Sequence, residues 1–419
     1  MEFMASNGPG ALAKQRKLGN VGRTFRPSFP RIPPMFSDRR HIAVSFAAAG
    51  AFLNLYAPQA VLPLLADEFG ASAAEIAMIM SASTFAVAFT APFTGVIADV
   101  VGRKRVIAAA LAALVIPTVM IAFVSSLDAL VFWRFMQGLA LPPIFAVTVA
   151  YIGGEWPADE ATGVTGLYTA AAGLGGFLGR LLTGLLAEPI GWRNAFLVDA
   201  GLTALCAIGV VTLLPREKHF VRATNLLASL RQMLAHLRNP RLLATFAVGF
   251  GVLFNFIAIF TFVSFHLAAP PYNLSAAALG LIFTVYLLGT FTTPLVGRAV
   301  ARFGRRQVVV GALAVWAGGV LLTLVPSLPA IIAGLALAAA SGFFVQACSQ
   351  SYVATRAQTG ISSAIGLYVT AFYIGGSAGA IVPGFGWQSG GWAATAAFVL
   401  VMQAAMALTV WLAWPQERR

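Results

Sequence analysis

Segments of this chain recur at a spacing of about two hundred residues, inside stretches too apolar for a soluble protein. Gly166-Leu167-Tyr168, Gly175-Gly176, Gly179, Gly184, Gly191-Trp192 and Pro215-x-Glu217 return 200 residues later as Gly366-Leu367-Tyr368, Gly375-Gly376, Gly379, Gly384, Gly391-Trp392 and Pro415-x-Glu417. Pro92, Gly95, Gly102 and Arg103 return at an offset of 202 as Pro294, Gly297, Gly304 and Arg305. One half is therefore a copy of the other. In a bilayer, two similar bundles about a pseudo-two-fold axis can rock around a site at the midplane.

With 59% hydrophobic residues, 10% charged residues and a mean hydropathy of +0.84, the chain lacks the polar surface that water requires. At roughly 20 apolar residues per helix, about twelve spans fit. Six lie near 42–65, 75–99, 104–125, 128–153, 160–187 and 193–215, and six near 241–268, 275–300, 306–325, 328–353, 360–386 and 391–414. Long continuous runs of Ala, Leu and Gly exclude a β-barrel, whose strands are short and alternate. The expected organisation is a basic disordered tail at 1–40, a six-helix bundle at 41–215, a linker at 216–240 and a second bundle at 241–419, all-α throughout.

The formal charge of +13 is concentrated in the tail, at Arg103-Lys104-Arg105, in the linker, around Arg298 to Arg306, and at Arg418-Arg419. If the spans alternate, all these clusters share one face. The positive-inside rule makes that face the cytoplasm, with both termini inside. The charge then reports topology and contact with membrane lipids; being dispersed over loops, it does not point to nucleic acid. The tail shows no apolar core flanked by a cleavage site and is not expected to be a signal peptide. Cys206 and Cys348 sit inside spans as small buried hydrophobes, so no disulfide framework is expected.

The second span ends in Gly95-Val96-Ile97-Ala98-Asp99-Val100-Val101-Gly102-Arg103-Lys104-Arg105. Gly95 and Gly102 permit close approach and a sharp turn, after which Asp99 can accept from Arg103 or Arg105. This string resembles the G-x-L-x-D-x-x-G-R-K-x motif between spans two and three of the major facilitator superfamily. The resemblance implies a latch joining the halves on the cytoplasmic side, with Lys104 and, at the end of span four, Glu155 beside it. The copy at 297–306 has Ala301 in place of the acid and is expected to latch more weakly.

In the fourth span, Arg134 and Gln137-Gly138 have the spacing R-x-x-Q-G, similar to a motif of the drug/proton antiporters in that superfamily, where the Arg is tied to proton coupling. A guanidinium inside a membrane helix must face protein or water. The glycine-rich fifth span, with Gly175 and Gly179 as a small-xxx-small face, is similar to the antiporters' fifth-span motif but lacks its Gly-Pro pair. Arg180 and Asp199 fall at comparable depth. Two readings stand: a neutralised pair holding spans five and six together, or Arg180 facing a central cavity with Arg134 to bind an anionic group or respond to a proton on Asp199.

Further cavity candidates are Asn54, Tyr56, Gln59, Phe254, Asn255, Tyr286, Gln346, Phe372 and Tyr373, since a few polar groups among aromatics suit a small-molecule pocket. Met402-x-x-x-Met406 could ligate copper, but without Cys or His nearby it reads as packing. No nucleophile elbow, metal cluster or phosphate-binding loop argues for an enzyme, a metal or a cofactor. The resemblance implies a monomeric secondary transporter of the bacterial inner (plasma) membrane, partnered by protons, lipids and a small-molecule substrate; two arginines and few acids at membrane depth suit a neutral, zwitterionic or anionic one. It is expected to export small organic molecules, with an importer or facilitator as the alternative; a copper importer or non-transporting sensor is further away.

Overall fold

The computed structural model describes residues 38–218, 235–357 and 361–416. Residues 1–37, which make up nearly all of the expected tail, and 219–234 of the expected linker lie outside the described residues.

The first half comprises α1 (Arg39–Tyr56), a 3-10 turn (Ala57–Ala60), α2 (Leu62–Phe69), α3 (Ala73–Val101), α4 (Arg103–Ile121), α5 (Leu127–Glu155), α6 (Ala158–Ile190) and α7 (Trp192–Leu213). The second comprises α8 (Pro240–Ala268), α9 (Ala276–Ile282), a 3-10 turn (Phe283–Tyr286), α10 (Leu287–Thr292), another turn (Thr293–Leu295), α11 (Val296–Phe303), α12 (Arg305–Leu322), α13 (Leu328–Arg356) and α14 (Ile361–Ala413). Among the described residues, 11 helical runs are long and apolar enough to cross a membrane, with Ala276–Phe303 counted as one run. The 53-residue α14, about 80 Å of helix against a hydrocarbon layer of about 30 Å, is long enough for two spans. It breaks at Gly390 and Gly391, the latter at φ 58° and ψ −142°. That kink separates the expected spans eleven and twelve.

Local sequence sets the helix ends. Ser72 and Glu75 form a reciprocal capping box on α3, Ser126 caps α5, and Asn239 caps α8 just before Pro240. Gly102 and Gly304 end α3 and α11 at φ 102° and 80°, a region that residues with a Cβ avoid. These two turns are the repeat made visible.

Large apolar residues such as Leu412, Val401, Phe123 and Phe385 point outward, while Asn54, Arg134, Gln137, Arg180, Asp199 and Asn255 are buried. That distribution suits a protein surrounded by lipid. The glycine faces bring helices together: α6 lies so close to α1 that a Cβ on Gly175 would sit 2.5 Å from the carbonyl oxygen of Ala49, and one on Gly179 would strike the Leu53 carbonyl. In the second half, Gly375 and Gly379 meet the backbone of Phe250 and Phe254 in α8 in the same way.

The halves meet along α3 with α14 and α6 with α9. Ser81 and Ser377 share a hydrogen bond of 2.6 Å, and Ser264 Oγ donates to the Gln59 carbonyl at 3.1 Å. Both bonds lie toward the ends of the helices remote from the arginine-rich loops.

The eighth span is not one helix: it passes through α9, two 3-10 turns, α10 and α11. Its continuous apolar sequence gave no sign of this, and the break carries Phe283 and Tyr286 into the seam between the halves.

Candidate functional site

Arg134 is completely buried, within the first half and not in a cavity between the halves. Its Nε donates to Ile79 O at 3.3 Å; Nη1 donates to Asn54 O at 2.9 Å and Gln137 Oε1 at 2.5 Å; Nη2 donates to Leu55 O at 2.7 Å and Ser83 Oγ at 2.9 Å. All five guanidinium hydrogens are thereby used. The cause lies at Pro58: lacking an amide hydrogen, it cannot continue the helical bond to Asn54 O, and α1 stops. Arg134 receives the freed carbonyls and places its charge at the negative end of the helix dipole. The expectation that it shares a cavity with Arg180 is therefore corrected.

Asn54 and Gln137 belong to the same interior network. Thr118 Oγ1 donates to Asn54 Oδ1 at 2.6 Å, Gln137 Nε2 donates to Thr118 Oγ1 at 2.8 Å, and Asn54 Nδ2 donates to Thr203 Oγ1 at 2.7 Å. Asn255, one repeat later, is also sealed inside its bundle, donating to Gly251 O at 2.8 Å and Met406 Sδ at 3.3 Å. Met406 thus packs against an amide. Phe254 is buried and stacks on Phe250 at 6.2 Å. Asn54 and Asn255 are corrected from cavity-lining to internal positions.

Arg180 has a different setting. It is 2% exposed, yet it lies where the halves meet. Its Nε donates to Gln59 Oε1 at 2.7 Å and its Nη1 to Gly176 O at 2.8 Å. The guanidinium carbon stands 4.3 Å from the ring centroid of Tyr56, 5.0 Å from that of Phe283 and 4.3 Å from that of Tyr286. Tyr56 comes from the end of α1, and the other two rings from the broken eighth span. Arg180 Nη2 and Gln59 Nε2 are buried donors without an acceptor. Three expected residues, Tyr56, Gln59 and Tyr286, converge on Arg180; Phe283 was missed, although its i, i+3 spacing to Tyr286 was legible.

From Tyr56 an aromatic path continues across the seam. Phe52 lies 6.5 Å from Tyr56, Phe145 lies 5.9 Å from Phe52, and Tyr373 stacks on Phe145 at 5.8 Å with Phe372 edge-on beyond it. Phe372 and Tyr373 thus stand in the seam with Phe52 and Phe145, which the sequence did not single out. Gln346 is half-buried and makes no side-chain hydrogen bond among the described residues.

Asp199 does not pair with Arg180 among the described residues. Its Oδ2 accepts from Thr183 Oγ1 at 2.9 Å, while Oδ1 is buried and has no donor. Asp199 faces α6 from inside the first half, whereas Arg180, three residues before Thr183 on α6, faces the seam. The pair reading is overturned by the side-chain partners: although Arg180 and Thr183 are neighbours on α6, the hydroxyl meets Asp199 while the guanidinium turns to Gln59, Gly176 and the rings.

At the basic end, Asp99 makes no hydrogen bond or ion pair among the described residues, and a Cβ on Gly95 would meet nothing within 4 Å. A different carboxylate takes the expected position. Glu217 accepts from the backbone amides of Arg103 and Lys104 at 2.9 and 3.3 Å, capping α4, whose N-cap residue Gly102 has no side chain to do so. Arg103 Nη1 donates to Ala150 O at 2.9 Å, and Glu155 Oε1 accepts from Lys218 N at 2.9 Å. Arg105 is exposed. These bonds join the first bundle to itself and to the start of the linker, so they do not latch one half to the other. In the second half, Arg305 Nη1 donates to Cys348 O at 2.8 Å, so this arginine contact is made without the acid that Ala301 replaces.

Glu217→Ala is expected to lower stability by about 1 kcal/mol, the usual value of an N-cap. Asp99→Asn should leave stability within about 0.5 kcal/mol, as surface changes usually do. Denaturation of the purified protein in detergent measures both, and the opposite ranking would return the role to Asp99.

The sequence matches the family described as Major Facilitator Superfamily over residues 44–270 and 254–419. It is 31% identical over 365 residues to the inner membrane transport protein YnfM of Escherichia coli, across 86% of this chain and 87% of that one. It is 29% identical over 353 residues to an uncharacterized transporter of Buchnera aphidicola subsp. Schizaphis graminum, across 84% and 86% of the two chains. In three dimensions it is similar to the nucleoside transporter NupG, with a TM-score of 0.75 at 15% identity over 90% of this chain and 100% of that one, a likeness of fold.

Proposed function

The chain belongs to the major facilitator superfamily, a multi-pass secondary transporter of the inner membrane, and from that premise we propose that it exports small organic molecules in exchange for protons by alternating access. The observation that carries this reading is the Arg180 cage, whose walls come from both halves, so that its shape changes whenever the halves rock. The fourth-span R-x-x-Q-G spacing and the glycine-rich fifth span support placement in the drug/proton antiporter branch. The basic loops face the cytoplasm in this reading, with both termini inside and the two bundles of 41–215 and 241–419 as the rocking units.

Asp199 is the proposed proton-carrying group. Among the described residues it is the buried carboxylate of the first half, it has an oxygen without a donor, and its Thr183 partner sits on the helix that carries Arg180. Arg134, with every donor engaged by protein oxygens, is excluded from that role here and acts as a clasp.

Everted vesicles bathed in a panel of metabolites and drugs test direction and coupling. Uptake into them driven by an imposed proton gradient, and lost on its collapse, is the expected result. Uptake by right-side-out vesicles instead would make the protein an importer. Asp199→Asn is expected to abolish gradient-driven accumulation while leaving substrate exchange at equal pH intact. Unchanged gradient dependence in that variant would remove Asp199 from coupling.

A further inference from the structure

The donors left over at the Arg180 cage specify what it receives. The Arg180 Nε–H bond to Gln59 Oε1 fixes the orientation of that amide, so its Nε2 is a donor turned away from the bond, and it is buried without an acceptor. Arg180 Nη2 likewise has no acceptor at good hydrogen-bonding geometry, with the Tyr286 hydroxyl standing near the guanidinium. Two adjacent buried donors, one of them cationic, call for oxygen acceptors, because a buried donor left unmatched is costly. Asp199 does not answer the charge, and no other carboxylate forms an ion pair with Arg180 among the described residues.

The geometry points to a seat for an organic anion, in which a carboxylate or sulfonate accepts hydrogen bonds from Arg180 Nη2 and Gln59 Nε2 while the apolar body of the molecule lies against Tyr56, Phe283 and Tyr286. The aromatic surround favours an organic anion over an inorganic one: the guanidinium lies over the three ring faces, so the rings meet an apolar body at their edges and offer a small hydrated anion nothing. The guanidinium repels cations, which removes lipophilic amines from the substrate range. The binding chemistry stands on the cage alone; its part in transport rests on the proposed function.

The same seat can join substrate to movement. Gln59 holds the first half's Arg180 through its side chain and accepts Ser264 Oγ of the second half through its carbonyl. An acid group seated on Gln59 Nε2 therefore bears on a residue that already bridges the seam, and the rings it touches belong to both halves.

The test uses the purified full chain in detergent and four probes of one shape: benzoate, benzenesulfonate, benzamide and benzylamine, with binding measured by calorimetry. The expected result is that the two anions bind at least tenfold more tightly than benzamide, and that benzylamine does not compete. Arg180→Lys, which keeps the charge without the planar fork, is expected to weaken benzoate about tenfold and leave benzamide unchanged. Benzamide or benzylamine binding as well as benzoate, or no binding of either anion, overturns the proposal. The wild-type panel decides even if the variant fails to fold. Proteoliposomes separate this proposal from the transport reading. Anion binding without movement of any probe would sink transport and leave the seat, whereas movement without preference for anions would sink the seat and leave transport.

Discussion

Arg134→Leu is expected to remove most of the folded protein from the membrane. The guanidinium supplies five hydrogen bonds, two of them to the carbonyls of Asn54 and Leu55 at the end of α1. Pro58 has no amide hydrogen to offer Asn54 O, and leucine cannot replace the lost donor. Each buried carbonyl left unmatched costs about 1–3 kcal/mol, and Gln137 and Ser83 lose a partner as well. Such a sum is a large share of the roughly 5–15 kcal/mol that holds a typical protein together. Arg134→Lys keeps a charge near the helix end but has three donors for five acceptors, so an intermediate loss is expected. Thermal midpoints by size-exclusion fluorescence, at matched expression, measure the series. A leucine variant as stable as wild type would show that Arg134 is not a clasp.

Removing both Arg180 and Asp199 is expected not to restore what either single change loses. A true buried pair would behave otherwise, because one unpaired buried charge costs about 3–5 kcal/mol and removing its partner recovers it. Here each group has separate neighbours: Gln59, Gly176 and three rings for Arg180, and Thr183 for Asp199. Stability changes in Arg180→Leu, Asp199→Leu and the double variant should therefore add, with a coupling below about 0.5 kcal/mol. Transport should fall steeply with Arg180→Leu. Loss of a buried hydrogen-bonded charge at a binding site costs about 2–5 kcal/mol, roughly 30- to 5,000-fold in affinity. A double variant that regains stability and transport would restore the ion pair.

What could be read from the sequence was whatever a residue or a short spacing imposes by itself. The apolar runs placed the spans, because a bilayer tolerates only backbone that bonds internally. The 200-residue repeat anticipated matching glycine contacts at Gly175 and Gly179 and at Gly375 and Gly379, since only a missing Cβ allows that approach. Gly102 and Gly304 marked the turns for the same local reason. What only the tertiary structure decided was the destination of each polar side chain. Arg134 and Arg180 both read as guanidinium groups at membrane depth, yet one closes the end of a helix inside a bundle and the other stands in the seam. Asp99 gave way to Glu217, more than a hundred residues distant, because the start of α4 takes whichever carboxylate the fold brings to its amides. Helical periodicity tells which residues share a face; which neighbour that face meets depends on the rotation of every packed helix, and that is settled only when all of them are in place.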